Sequence, residues 1–109
     1  MNVLIVDDHP VFLEGLKNLM KSHDFNVIGT ASNGEEAISL AKKLNPDIIM
    51  MDIHMPEIDG IEATKHLKSI LPDVKIIILT SFEEKKKIFK AIKAGASGYL
   101  LKNINSNIL

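Results

Sequence analysis

Three carboxylates, one hydroxyl and one ammonium group stand at the ends of apolar runs in this chain. Asp7 and Asp8 follow Val3-Leu4-Ile5-Val6, Asp52 follows Ile48-Ile49-Met50-Met51, Thr80 follows Ile76-Ile77-Ile78-Leu79, and Lys102 follows Tyr99-Leu100-Leu101. A strand buried on both faces reads as an unbroken apolar run, so each polar group is expected where its strand surfaces at the carboxyl edge of a parallel sheet. Open α/β sheets bind ligands at that edge. Gathered carboxylates repel one another unless a cation sits among them, and a hydroxyl and a lysine beside them suit an anion held on the same cation. The combination points to phosphate chemistry on Mg2+.

An isolated Asp-Asp pair is more often a solvated turn. Here Asp52 closes a second strand, and in the right-handed order 2-1-3-4-5 strands one and three are neighbours that diverge at the crevice. Magnesium takes hard oxygen ligands and keeps several waters, so one or two carboxylates with a backbone carbonyl complete the protein's share. A carboxylate beside such an ion can also attack phosphorus and form an acyl phosphate, with Asp52 the natural nucleophile. The same position equally suits an ordinary third ligand, and sequence does not separate the two. Lys102 has a solvated surface alternative, against which its place after an apolar strand argues. Thr80 is either a hydroxyl donor to a phosphoryl oxygen or a β-branched residue ending its strand. Tyr99, the only tyrosine, is a strand residue able to pack on a helix with its hydroxyl at the surface. His9, His23, His54 and His66 lack ligand spacing such as i and i+4 and read as surface or loop groups, with His9 and His54 beside the site.

The elements that must position these groups alternate short apolar runs with amphipathic stretches, the pattern of a parallel sheet covered by helices. The expected fold is α/β, a doubly wound five-stranded parallel sheet, flavodoxin-like, in the order 2-1-3-4-5. Pro10 opens a first helix that ends near Ser22-His23, and Phe25 to Ala31 forms the second strand. Asn33 caps a helix with Ala37, Leu40, Ala41 and Leu44 on one face, stopped by Asn45-Pro46. The third strand, Asp47 to Met51, leads through a loop to a helix capped by Asp59, with Ile61, Thr64, Leu67 and Ile70 inward. Val74 to Leu79 is the fourth strand, and a charged helix with Ile88, Phe89 and Ile92 on its buried side follows. Glu83 to Lys87 reads as the solvated start of that helix. Gly95 and Gly98 mark the turn into the last strand. Residues 103–109 read as a truncated last helix of about one turn, so the natural chain is expected to continue past Leu109.

The chain has 109 residues, 46% hydrophobic and 25% charged, which suits one globular domain with a single core. A net charge of -1 gives no sequence-wide pull toward nucleic acid or anionic membrane, so direct DNA binding by this segment is not expected. Cysteine is absent, which removes a disulfide framework and thiolate zinc sites. Asp7-Asp8 interrupts the first apolar run, which excludes a signal-peptide core or membrane span there and makes a cytoplasmic location the expectation.

Val-Asp-Asp-His-Pro at 6–10, Met-Asp-Ile-His-Met-Pro at 51–56, Gly60, Thr80-Ser81 and Gly-Tyr-Leu-Leu-Lys at 98–102 together resemble the receiver domain of bacterial two-component response regulators. The likeness spans essentially the whole chain and is nearest the NarL/LuxR-type subgroup, whose members carry a C-terminal helix-turn-helix output domain. The resemblance implies that residues 1–109 form a phosphoacceptor domain and that the full-length protein binds DNA through an output domain that this sequence does not contain. It further implies that Asp52 accepts a phosphoryl group from a sensor histidine kinase, that Asp7, Asp8, Asp52 and the backbone carbonyl of His54 hold Mg2+, and that Lys102 pairs with the phosphate. Thr80 then moves to the phosphoryl group and Tyr99 turns inward, changing the face made by the fourth helix and fifth strand. The full-length protein is expected to form a homodimer on phosphorylation, through first and last helices of which the latter is incomplete here. Asn103 departs from the family, many members of which have a cis proline after the site lysine.

A haloacid-dehalogenase-type hydrolase also uses a strand-end aspartate on magnesium, but it places a second acid two residues after the nucleophile, where this chain has His54. A phosphorylation-independent interaction module is disfavoured because all five site residues are present. The domain is therefore read as a regulatory phosphoacceptor rather than an enzyme, with self-catalysed phosphotransfer and dephosphorylation as its chemistry.

Overall fold

Apolar runs alternating with amphipathic stretches leave few topologies open, and the chain adopts the expected one. The computed structural model describes residues 1–55, 58–80 and 85–102. Strands β1 (Asn2–Val6), β2 (Asn26–Ala31), β3 (Ile48–Asp52), β4 (Lys75–Thr80) and β5 (Gly98–Leu101) alternate with helices α1 (Pro10–Ser22), α2 (Gly34–Leu44), α3 (Gly60–Ile70) and α4 (Lys85–Lys93). All strand pairs are parallel, in the order β2-β1-β3-β4-β5. The order reverses between β1 and β3, so their carboxyl ends flank the crevice of the doubly wound sheet.

Helix ends follow the sequence cues. Pro10 opens α1, where its missing N–H would be unpaired in any case. The Asn33 side chain accepts from the Glu36 amide at the start of α2, and Asp59 accepts from the amides of Ile61 and Glu62 at the start of α3. Asn45 ends α2 with φ of 49°, a left-handed conformation that asparagine tolerates better than most residues.

Burial divides between the two faces of the sheet. Leu4, Val6, Ile49, Met51, Ile76 and Ile78 pack with Ala37, Ala41, Ala63 and Leu67 of α2 and α3, while Val3, Ile5, Met50 and Leu79 pack with Leu16 of α1. In α3, Ala63 is buried alongside Thr64 and Leu67, whereas Ile61 and Ile70 are only partly covered. Two expectations are corrected. Phe89 and Ile92 of α4 are exposed, and the residue that α4 buries is Ala91. The helix approaches β4 on its smallest side chain, with Ile88 partly buried as expected and Phe89 and Ile92 facing outward. The run Tyr99-Leu100-Leu101 is also not doubly covered: β5 is an edge strand, with Tyr99 and Leu100 about half exposed. The expected last helix at 103–109 and Glu83-Glu84 lie outside the described residues.

Candidate functional site

Each acid reaches the crevice because its strand delivers it there. Asp52 is the last residue of β3, and Asp7 directly follows β1, its amide still donating to Ala31 of β2. Both are buried, Asp7 at 1% and Asp52 at 2% exposure. In each, one carboxylate oxygen is tied down by the chain's own turn: Asp7 Oδ1 accepts from the His9 amide at 2.8 Å, and Asp52 Oδ1 accepts from the His54 amide at 3.2 Å. Such i to i+2 bonds fix the carboxylate plane. The other oxygens face a common cation, with Lys102 Nζ 2.9 Å from Asp7 Oδ2 and 3.3 Å from Asp52 Oδ2. Lys102 arrives from the end of β5, where its amide donates to the Thr80 carbonyl at 2.6 Å. Its Nζ lies over the Phe12 ring, 4.8 Å from the ring centre.

Gly60 lets α3 begin against the end of β3. A Cβ on Gly60 would lie 2.5 Å from the Asp52 carbonyl oxygen and 2.8 Å from Ile53 Cα, both backbone atoms that cannot give way separately. The Gly60 amide also donates to the Ile53 carbonyl at 3.0 Å. The end of β3 is thus held closely against the start of α3.

Burial pushes the Asp52 carboxyl above its ordinary range; the His54 amide opposes that rise, the neighbouring Asp7 adds to it, and Lys102 opposes it. Asp7 Oδ2 is buried and lacks a hydrogen-bond partner among the described residues. Lys102 stands close enough to form an ion pair with it but not at a hydrogen-bonding angle. A further cation would relieve this arrangement, and oxygens of Asp7, Asp8 and Asp52 lie within 4.8 Å of one another. Three hard oxygen donors fit Mg2+.

The remaining sequence-derived residues divide. Thr80 is buried at the end of β4, one residue past the position paired with Asp52. Tyr99, opposite Ile78, is half exposed at the sheet edge. His54 enters the site through its amide, while its ring Nδ1 lies 3.4 Å from Lys87 Nζ of α4. His9 was expected beside the site, yet the structure puts its ring inside: Nδ1 is 2.9 Å from Asp7 Oδ1, 3.1 Å from Asp8 Oδ1 and 2.9 Å from Lys102 Nζ. The available signal was position, since a residue two after Asp7 and just before α1 can donate its amide to the Asp7 carboxylate.

The family model for the response regulator receiver domain matches residues 3–109. The chain belongs to this family. Relatives of this receiver domain include the transcriptional regulatory protein YdfI of Bacillus subtilis (strain 168), 50% identical over 98% of this chain and 50% of that protein. The transcriptional regulatory protein DegU of Brevibacillus brevis is 40% identical over 100% of this chain and 47% of its own length. The receiver spans about half the length of these relatives. Among solved structures, a LuxR-family two-component response regulator from Aurantimonas sp. SI85-9A1 superposes with a TM-score of 0.90 at 35% identity, covering 95% of this chain and 75% of that one. A chain from the CheX-CheY-BeF3-Mg2+ complex of Borrelia burgdorferi superposes at 0.89 with 31% identity, covering 96% and 80%. No described helix is long and apolar enough to cross a membrane.

Proposed function

We propose that this receiver is a phosphorylation-dependent switch in which Asp52 takes a phosphoryl group from a sensor histidine kinase. The carrying observation is the Asp52 carboxylate itself: buried at a strand end, one oxygen tied to the His54 amide and the other 3.3 Å from Lys102 Nζ. Asp7, Asp8, Asp52 and the His54 carbonyl would hold Mg2+, which supplies charge neutralisation for the incoming phosphate. Kinship to a chain from a complex containing BeF3 and Mg2+ supports that reading.

Asp52 Oδ2 is the nucleophile: it bonds to phosphorus as the bond from phosphorus to the donor breaks, giving an acyl phosphate. Lys102 neutralises the phosphoryl charge, and the Thr80 hydroxyl donates to a phosphoryl oxygen. The added group brings about -1.5 to -2 charges and three acceptor oxygens, which shifts the population of the Thr80 and Tyr99 arrangements and so the face formed by α4 and β5. In a full-length protein like its relatives, that face would govern a DNA-binding output domain and a homodimer contact, and so transcription. The setting for this chemistry is the cytoplasm.

Incubation with Mg2+ and acetyl phosphate is expected to add one phosphoryl mass to the parent chain and none to Asp52→Asn. An unchanged intact mass, under conditions that label a control receiver, would remove phosphotransfer as the activity.

A further inference from the structure

The His9 imidazole is held in a contradictory position. Its Nδ1 lies 2.9 Å from Asp7 Oδ1, which calls for an N–H there, and 2.9 Å from Lys102 Nζ, which calls for a lone pair. One nitrogen cannot serve as donor and acceptor at once. A cation among these groups removes the conflict, because Nδ1 and the carboxylates then all act as electron-pair donors.

The spacing suits that solution. Donors sharing one ion at bonds of about 2.0–2.2 Å and angles of about 90–120° stand roughly 2.8–3.8 Å apart. His9 Nδ1 lies 2.9 Å from Asp7 Oδ1, 3.1 Å from Asp8 Oδ1 and 3.7 Å from Asp52 Oδ2. The buried Asp7 Oδ2, without a hydrogen bond among the described residues, points independently to a ligand at this place. Lys102 Nζ already stands there as a positive charge, within 3.3 Å of Asp7, Asp52 and His9. An entering ion takes over that role from the ammonium.

We infer that His9 is a fourth ligand that lets this site take a borderline divalent ion such as Co2+ or Zn2+ through one nitrogen and three oxygens. The inference rests on the cation site of the proposed function and extends its ligand class. Magnesium prefers oxygen donors, whereas imidazole favours the later transition ions. The His9 side chain is 62% exposed, so it can swing away from a magnesium-loaded site without burying anything new. His9 therefore discriminates between ions and leaves the oxygen set intact.

The test is titration of the purified chain with Co2+ and, separately, Mg2+, for the parent, His9→Ala, His9→Gln and Asp52→Asn. The cobalt visible bands and the shifted imidazole N–H proton resonance serve as direct reports of nitrogen ligation. Both His9 variants are expected to lose the imidazole signal and to lower the ratio of Co2+ to Mg2+ affinity at least tenfold relative to the parent. Asp52→Asn should weaken both ions. Unchanged Co2+ affinity and signal in the His9 variants would overturn the inference. So would parallel losses for Co2+ and Mg2+, since His9 would then only brace the carboxylates. His9-dependent Co2+ binding in a parent that shows no Mg2+ response would support this inference while counting against the phosphoacceptor reading.

Discussion

Asp52 is a carboxylate kept where its charge is disfavoured, by burial first and by Asp7 second. Its folded pKa lies above the ordinary value of 3.8, so over the interval between the two the folded chain binds the extra proton. Stability falls as pH rises through that interval and stays lower above it. Metal-free Asp52→Asn is therefore expected to be more stable than the parent near about pH 7, with the gap closing toward about pH 4. Urea unfolding in a chelator across that range checks the sign; a variant less stable than the parent near neutrality would show that Lys102 outweighs burial. Asp7, Asp8, Asp52 and Lys102 were legible in the sequence because each interrupts or ends an apolar run. The His9 ring was not, because its place depends on a turn bond and on a lysine 93 positions away, neither of which leaves a local pattern.

Elements carry the site by approaching closely where side chains permit. Gly60→Ala would force a methyl group onto the Asp52 and Ile53 backbone, and overpacking of that kind costs about 1–3 kcal/mol. Gly15, in the middle of α1, has nothing within 4 Å of an added Cβ. Gly15→Ala should then stabilise by about 0.5–1 kcal/mol through helix propensity alone. Denaturant midpoints of the two variants should move in opposite directions, and only Gly60→Ala should also weaken Mg2+ binding. Asp59→Ala removes a carboxylate that accepts two amides at the start of α3 and is expected to cost about 1 kcal/mol in the same measurement. Strand order and helix caps were readable because each has a short-range cause: apolar runs, Pro10, Asn33 and Asp59. The buried side of α4 was misread, since spacing alone favoured Phe89 and Ile92, whereas close helix-to-sheet contact selected Ala91. The exposure of β5 was missed for a related reason, as an apolar run does not reveal which strand lies at the sheet edge.

At the scale of the whole molecule, the site is assembled from parts distant in sequence: acids after β1 and at the end of β3, and a lysine after β5. An unfolded chain does not hold these groups together, so an ion bound here favours the folded state by linkage. At a free Mg2+ concentration of one hundred times Kd, the expected gain is about 2.7 kcal/mol. The parent's urea midpoint should rise accordingly and return on chelation. Asp8→Ala separates the metal's contribution from that of folding. Asp8 is the most exposed of the three acids, with 37% side-chain exposure against 0% for Asp7 and 3% for Asp52, so its removal leaves the core untouched. That variant should match the parent without metal within about 0.5 kcal/mol, as surface substitutions generally do. It should then lose most of the magnesium-induced gain. An equal gain in both chains would mean that Asp8 is not a ligand, and no gain in the parent would mean that the three carboxylates do not form a magnesium site.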